Sequence, residues 1–225
     1  MTWVKICGTT NLHDAQLSIA AGADALGFIF APSPRRIAIA GAAEIIGTLR
    51  GEVETIGVFV NETPERVAEI AEQVGLSGAQ LHGDEPAKSL PKFRRALGER
   101  KIVKTLHAGD LLNGRTRLDD YLIARDSLDA VLLDSGSAQL RGGTGAAYDW
   151  TRALPIAERI RNAMPLIVAG GLTPQNVAHA IALFAPWGVD VVSGVESSPG
   201  AKDETKLREF VAAVRQTAAS VRRWE

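Results

Sequence analysis

The chain has 225 residues, 46% of them apolar, and carries a net charge of −1 from 25 basic and 26 acidic side chains. That balance leaves no basic excess for nucleic acid or an anionic membrane, and no apolar run approaches the ~20 residues needed to span a bilayer. The single cysteine, Cys7, excludes an internal disulfide or a cysteine-based metal cluster, and Met1–Thr10 lacks the basic and apolar regions of a secretory signal, so a cytoplasmic setting is expected.

Eight short runs are almost wholly apolar: Trp3–Ile6, Ala25–Phe30, Thr55–Val60, Ala79–Leu81, Ile102–Thr105, Ala130–Leu133, Leu166–Ala169 and Val189–Val192. They lack polar alternation, as strands buried on both faces do. Amphipathic stretches of helical length separate most of them. The weakest lies after Thr105, where Leu106–Asn113 has little helical period. Thr63-Pro64 and Thr173-Pro174 each put a capping hydroxyl before a proline suited to the first helical position. Asp203 caps a last helix whose apolar face is Leu207, Phe210, Val211, Val214 and Val221. A faint repeat, in which a small or apolar residue and Asp end a helix turn and a strand then begins, recurs at Gly22-Ala23-Asp24-Ala25, Leu128-Asp129-Ala130 and Gly188-Val189-Asp190-Val191.

Eight strand–helix units of about 28 residues each predict a parallel (β/α)8 TIM barrel, with residues 1–225 as a single domain. A doubly wound sheet is the alternative, but no glycine-rich dinucleotide loop follows the first strand.

Chemistry in such a barrel gathers where strands end. Gly170-Gly171-Leu172-Thr173-Pro174 and Ser193-Gly194-Val195-Glu196 follow the seventh and eighth strands, and glycine turns at these two places suit a phosphate. Gly142-Gly143-Thr144-Gly145 offers further amides. Cys7 ends the first strand, with Lys5 two residues earlier on the same side. A thiolate there can act as a base if a cation lowers its pKa, although a lone cysteine is more often a small buried hydrophobe. Asp134 ends the apolar sixth strand, which makes Cys7 and Asp134 an opposed acid–base pair. Arg35 or Arg36, after the second strand, could grip a carboxylate through two parallel hydrogen bonds. Gln80, His82, Asp190, Gly143, Gly171, Ser193 and Gly194 complete the expected substrate contacts. His13, His107 and His179 look incidental, and no grouping has metal-ligand spacing.

Taken together and in order, these segments resemble the phosphoribosylanthranilate isomerase family of tryptophan biosynthesis. The matching stretches are Lys5-Ile6-Cys7-Gly8, Ser33-Pro34-Arg35, Val58-Phe59-Val60-Asn61, Gln80-Leu81-His82-Gly83, Leu132-Leu133-Asp134-Ser135, Gly142-Gly143-Thr144-Gly145 with Asp149-Trp150, Ala169-Gly170-Gly171-Leu172 and Ser193-Gly194-Val195-Glu196. The resemblance covers essentially the whole chain. It implies an Amadori rearrangement of N-(5′-phosphoribosyl)anthranilate, with Cys7 as general base, Asp134 as general acid, Arg35 on the anthranilate carboxylate and the glycine turns on the phosphate. It implies a small-molecule phosphoribosyl substrate, no cofactor or metal, no nucleic-acid or membrane partner, and a monomer or homodimer. One departure is Val192, where the family often has the first of two serines.

Three rivals make distinct demands. A carbon–carbon bond-forming or dehydrating barrel on a similar phosphate would bring several Lys and Glu to its strand ends. A dual-substrate isomerase would favour paired aspartates and a second phosphate site. A non-catalytic phosphate binder would need neither Cys7 nor Asp134.

Overall fold

The computed structural model describes residues 1–134 and 150–221. In chain order the elements are β1 (Trp3–Cys7), α1 (Leu12–Ala21), β2 (Ala25–Ile29), α2 (Ile39–Leu49), β3 (Glu54–Phe59), α3 (Pro64–Val74), β4 (Gly78–Leu81), α4 (Leu90–Leu97) and β5 (Lys101–His107). They continue with α5 (Ala108–Leu112), α6 (Leu118–Ile123), β6 (Ala130–Asp134), α7 (Trp150–Ala163), β7 (Leu166–Ala169), α8 (Val177–Phe184), β8 (Gly188–Val191), β9 (Glu196–Ser198), β10 (Ala201–Lys202) and α9 (Glu204–Val221). Strands β1 to β8 pair in sequence order, all parallel, and β8 closes on β1 with Lys5 opposite Asp190. This is the expected (β/α)8 barrel.

The apolar strands have a reason in the two cores. One face of each strand packs outward on the helices, where Val4, Ile6, Leu26, Phe28, Leu81, Val131 and Val189 belong to one cluster with helix residues that include Leu207, Phe210 and Val214 of α9. The other face fills the barrel with a smaller cluster of Val103, Ala130, Leu132, Ile167 and Ala169, against which Trp3 packs. Successive residues of a strand point to opposite faces, so polar residues two places further on continue the interior face to the mouth.

The helix signals mostly correspond to real caps. Thr63 Oγ1 accepts from Arg66 N–H at 3.2 Å, and Asp203 Oδ1 accepts from Lys206 N–H at 3.0 Å. Thr173-Pro174 does not open a helix directly. Residues 174–176 form a turn in which Asn176 Oδ1 accepts from Thr173 N–H at 2.8 Å, and α8 begins only at Val177. The stretch after Thr105 also differs from expectation: β5 runs on to His107, and the short helices α5 and α6 follow.

The faint repeat has a structural cause at two of its three places. Asp24 Oδ2 accepts from Val4 N–H at 2.8 Å and Asp129 Oδ2 from Ile102 N–H at 2.7 Å, so each aspartate caps the preceding strand at the barrel floor. Arg215 and Arg94 neutralise them. Asp190 lies inside β8 and serves the barrel interior instead.

Candidate functional site

Cys7 ends β1 on the interior face, in register with Gly27 of β2, and is 3% exposed. A Cβ on Gly27 would fall 2.5 Å from Cys7 Sγ and 3.0 Å from its Cα. Glycine at that place leaves the thiol its position. Gly27→Ala is therefore expected to push Cys7 aside and lower kcat about 10²-fold, the effect of a displacement near 1 Å, while overpacking costs about 1–3 kcal/mol of stability. Steady-state kinetics beside denaturant unfolding checks this, and an unchanged kcat would show that the thiol position is not critical.

One layer deeper, Lys5 Nζ lies 2.8 Å from Asp190 Oδ1, with the lysine 1% exposed. Burial pushes the Cys7 thiol up, and the Asp190 charge adds to that, while the Lys5 and Lys202 ammonium groups pull it back without cancelling the rise. Burial works against the Lys5 charge, but Asp190 and Cys7 outweigh it and hold its pKa above the usual value. Burial thus favours the neutral form of the thiol, which sits above the buried Lys5–Asp190 ion pair.

The loop after β2 turns Arg35 toward β1 and leaves Arg36 exposed. Ser33 Oγ accepts from Arg35 N–H at 3.1 Å and shapes that loop. The Arg35 stem packs on Gly8, where a Cβ would meet Arg35 Cδ at 2.9 Å. Its guanidinium is engaged by Glu196, Nε donating to Oε1 at 2.9 Å and Nη2 to Oε2 at 2.7 Å. Lys202 Nζ meets the same carboxylate at 3.2 Å and donates to the Cys7 carbonyl at 2.6 Å. Burial pushes the Glu196 carboxyl up, yet Arg35 and Lys202 outweigh it and hold it below the usual carboxylate range.

Across the ring, Gln80 Nε2 donates to Thr105 Oγ1 at 3.1 Å and stands 2.9 Å from His82 Nδ1. The loop carrying His82 is fixed from outside the barrel. Buried Lys104 donates to Glu85 at 2.7 Å and to the Gly83 carbonyl at 2.8 Å, and Glu85 accepts the N–H of Asn61 at 2.9 Å. His107, expected to be incidental, is a buried residue on the last position of β5. It faces His82 edge-on, 5.4 Å between ring centres, and is in register with Asp134. Asp134 is the half-buried last residue of β6 and follows Leu132 on the interior face.

The loops after β7 and β8 touch. A Cβ on Gly194 would lie 1.9 Å from the Leu172 carbonyl oxygen, so only glycine allows this approach. Gly171 has φ +67° and open space where a side chain would point. Asn176 fastens the first loop by donating to the Gly171 carbonyl at 2.9 Å. Ser193 is exposed beside Gly194.

The mouth therefore gathers Cys7, Arg35, His82, Asp134, Gly171, Ser193 and Gly194, with Gln80 and Asp190 deeper in the barrel. Gly143 lies outside the described residues. Glu196, Lys202 and Gly27 were given no role from sequence. Their signal was faint: a glycine inside an apolar strand, and two opposite charges in the loop after the eighth. Among the described residues, no three His, Cys, Asp or Glu side chains are placed to hold a metal ion, and no helix is long and apolar enough to cross a membrane.

A family model described as N-(5′-phosphoribosyl)anthranilate (PRA) isomerase matches residues 4–213. The chain is similar to the N-(5′-phosphoribosyl)anthranilate isomerase of Rubrobacter xylanophilus, 42% identical over 217 residues that cover 96% of this chain and 100% of the relative. Monomers of the dimeric phosphoribosylanthranilate isomerase from Thermotoga maritima superpose with a TM-score of 0.77 at 37% identity, covering 96% of this chain and all of theirs. A phosphoribosyl anthranilate isomerase in complex with reduced 1-(o-carboxyphenylamino)-1-deoxyribulose 5-phosphate gives a TM-score of 0.78 at 36% identity, with 96% and 100% covered.

Proposed function

The chain belongs to the N-(5′-phosphoribosyl)anthranilate isomerase family, and from that footing we propose how its residues divide the reaction. The enzyme isomerises N-(5′-phosphoribosyl)anthranilate to 1-(2-carboxyphenylamino)-1-deoxyribulose 5-phosphate in tryptophan biosynthesis. In the proposed division, Asp134 gives its proton to the ribose ring oxygen. The bond from that oxygen to C1′ breaks, and the nitrogen lone pair forms an iminium. The iminium acidifies the C2′ hydrogen, which the Cys7 thiolate removes, and the electron pair returns toward nitrogen to leave an enol. A proton gained at C1′ and one lost from the C2′ hydroxyl give the ketone. Arg35 holds the anthranilate carboxylate. Gly171, Ser193 and Gly194 receive the phosphate, joined by Gly143. Gln80, His82 and Asp190 complete the substrate contacts.

The observation that carries this reading is the seating of Cys7 over buried Lys5, three strands round the ring from Asp134. A thiol and a carboxyl there can address opposite faces of one sugar. The decisive assay is the loss of fluorescence as N-phosphoribosylanthranilate made in situ is consumed. Purified chain should abolish the signal, and no change above the uncatalysed rate would sink the reading.

The phosphate assignment has its own test. Gly171→Asp brings a carboxylate to the open side of the turn, in a backbone conformation that Asp and Asn both tolerate. KM should rise about tenfold or more through repulsion of the phosphate, while Gly171→Asn, equal in size and strain, should change it far less. Inorganic phosphate should compete with substrate for the wild type. Equal effects of Asp and Asn would remove the phosphate from this turn.

The same reading treats residues 1–225 as one cytoplasmic domain. It takes a small-molecule phosphoribosyl substrate and acts as a monomer or a homodimer.

A further inference from the structure

A guanidinium can grip a carboxylate by either of two edges, the Nε/Nη2 side or the Nη1/Nη2 end. In Arg35 the first edge is taken. Nε lies 2.9 and 3.0 Å from the two Glu196 oxygens, and Nη2 lies 2.7 Å from Oε2. Nη1 has no partner among the described residues. Glu196 is itself held on several sides: Lys202 Nζ at 3.2 Å, Gly200 N–H at 3.3 Å, and Lys206 Nζ on its backbone carbonyl at 2.7 Å. Lys202 continues the chain of contacts to the Cys7 carbonyl, and its own N–H reaches Asp14 Oδ2 at 2.9 Å. One buried carboxylate thus ties the loop that bears Arg35 to the end of the strand that bears Cys7. The three charges Arg35, Glu196 and Lys202 sum to +1, so the arginine keeps its attraction for an anion while losing its freedom to swing.

We propose that Glu196 is a positioning residue for the isomerisation: it clamps Arg35 by the Nε/Nη2 edge and presents the Nη1/Nη2 edge to the substrate carboxylate at a fixed distance from Cys7. This rests on the reading of Arg35 as the carboxylate-binding residue. A preset planar fork loses less on binding than a free arginine, because its rotamers are already chosen. The pairing itself joins positions 161 residues apart and emerges only when the barrel closes.

A double-mutant cycle separates the inference from the reading beneath it. Arg35→Met should raise KM and weaken binding of the reduced product analogue about tenfold or more, the worth of a charged hydrogen-bonded pair. Glu196→Gln keeps size but not charge, and should raise KM about tenfold with a smaller change in kcat and unchanged inhibition by inorganic phosphate. In the Arg35→Met background the same change should add no more than about twofold, because Glu196 acts through the arginine. Glu196→Asp, which restores the charge with shorter reach, should recover part of the loss. If Arg35→Met binds substrate and analogue as the wild type does, the carboxylate reading fails and the inference with it. If Arg35→Met weakens binding but Glu196→Gln does not, or if Glu196→Gln weakens it equally in both backgrounds, the positioning role alone is overturned. Should Glu196→Gln not fold, the cycle run with Glu196→Asp decides by the same comparison.

Discussion

Cys7→Ala is expected to lower kcat by about 10²–10⁴ while the barrel still folds, that range being the usual worth of a positioned general base. The substitution removes one atom from a site where Gly27 and Lys5 already define the walls, so the change falls on chemistry more than on packing. The thiol is the only one in the chain, which gives a second readout. Alkylation should inactivate the wild type, and a bound product analogue should protect it. The pH dependence has a definite sign. Burial raises the Cys7 pKa, so kcat/KM should climb with pH across the neutral range as thiolate forms. Stability should move the other way. The folded chain favours the neutral thiol and the unfolded chain ionises near pH 8.5, so the contribution is whole below that pH and is lost above it. Cys7→Ala should lack that alkaline increment. Turnover by the alanine variant at the wild-type rate would take the base role away from Cys7.

Asp134→Asn is expected to cost a similar factor, about 10²–10⁴ in kcat, with near-normal binding of the reduced product analogue. Ring opening places developing charge on the ribose oxygen, and the asparagine amide can donate a hydrogen bond but cannot release a proton. The shape of the pH profile separates this from a packing defect. The wild type needs one group protonated and another ionised, so its rate should rise and then fall. The Asn variant should rise with thiolate formation and not fall again, because no acid remains to be deprotonated. A near wild-type kcat would move the acid to another group at the mouth. His107, the register partner of Asp134 on β5, would be the first to examine.

The expected eight strands correspond to the eight strands of the barrel, and the ends of β1 and β6 are where Cys7 and Asp134 were expected. Both follow from local physics. A parallel strand covered on both faces must be apolar at every position, and a polar residue that breaks such a run marks its end. Caps were legible for the same reason, since Thr63 and Asp203 bond amides three residues away. The departures also have local causes. Leu106 and His107 have no helical period because they prolong β5, and Thr173 yields its place at the start of α8 to a turn closed by Asn176.

By itself, then, the sequence determined the strand count, the parallel barrel, the single thiol and the polar residues at the strand ends. Each of these is written in neighbours along the chain. Only the tertiary structure decided that Asp190 holds Lys5 beneath Cys7, that Gly27 leaves room for Sγ, that Arg35 rather than Arg36 turns inward, and that Glu196 and Lys202 join Arg35 to the Cys7 backbone. Apart from Glu196 and Lys202, which are six residues apart, the partners in these contacts lie 20 to 195 residues apart, the extremes being Cys7 against Gly27 and against Lys202. A charged side chain in sequence reads as solvated surface, because burying it is costly without a partner. Whether a partner exists is settled only when the barrel closes and brings distant strand ends to one mouth.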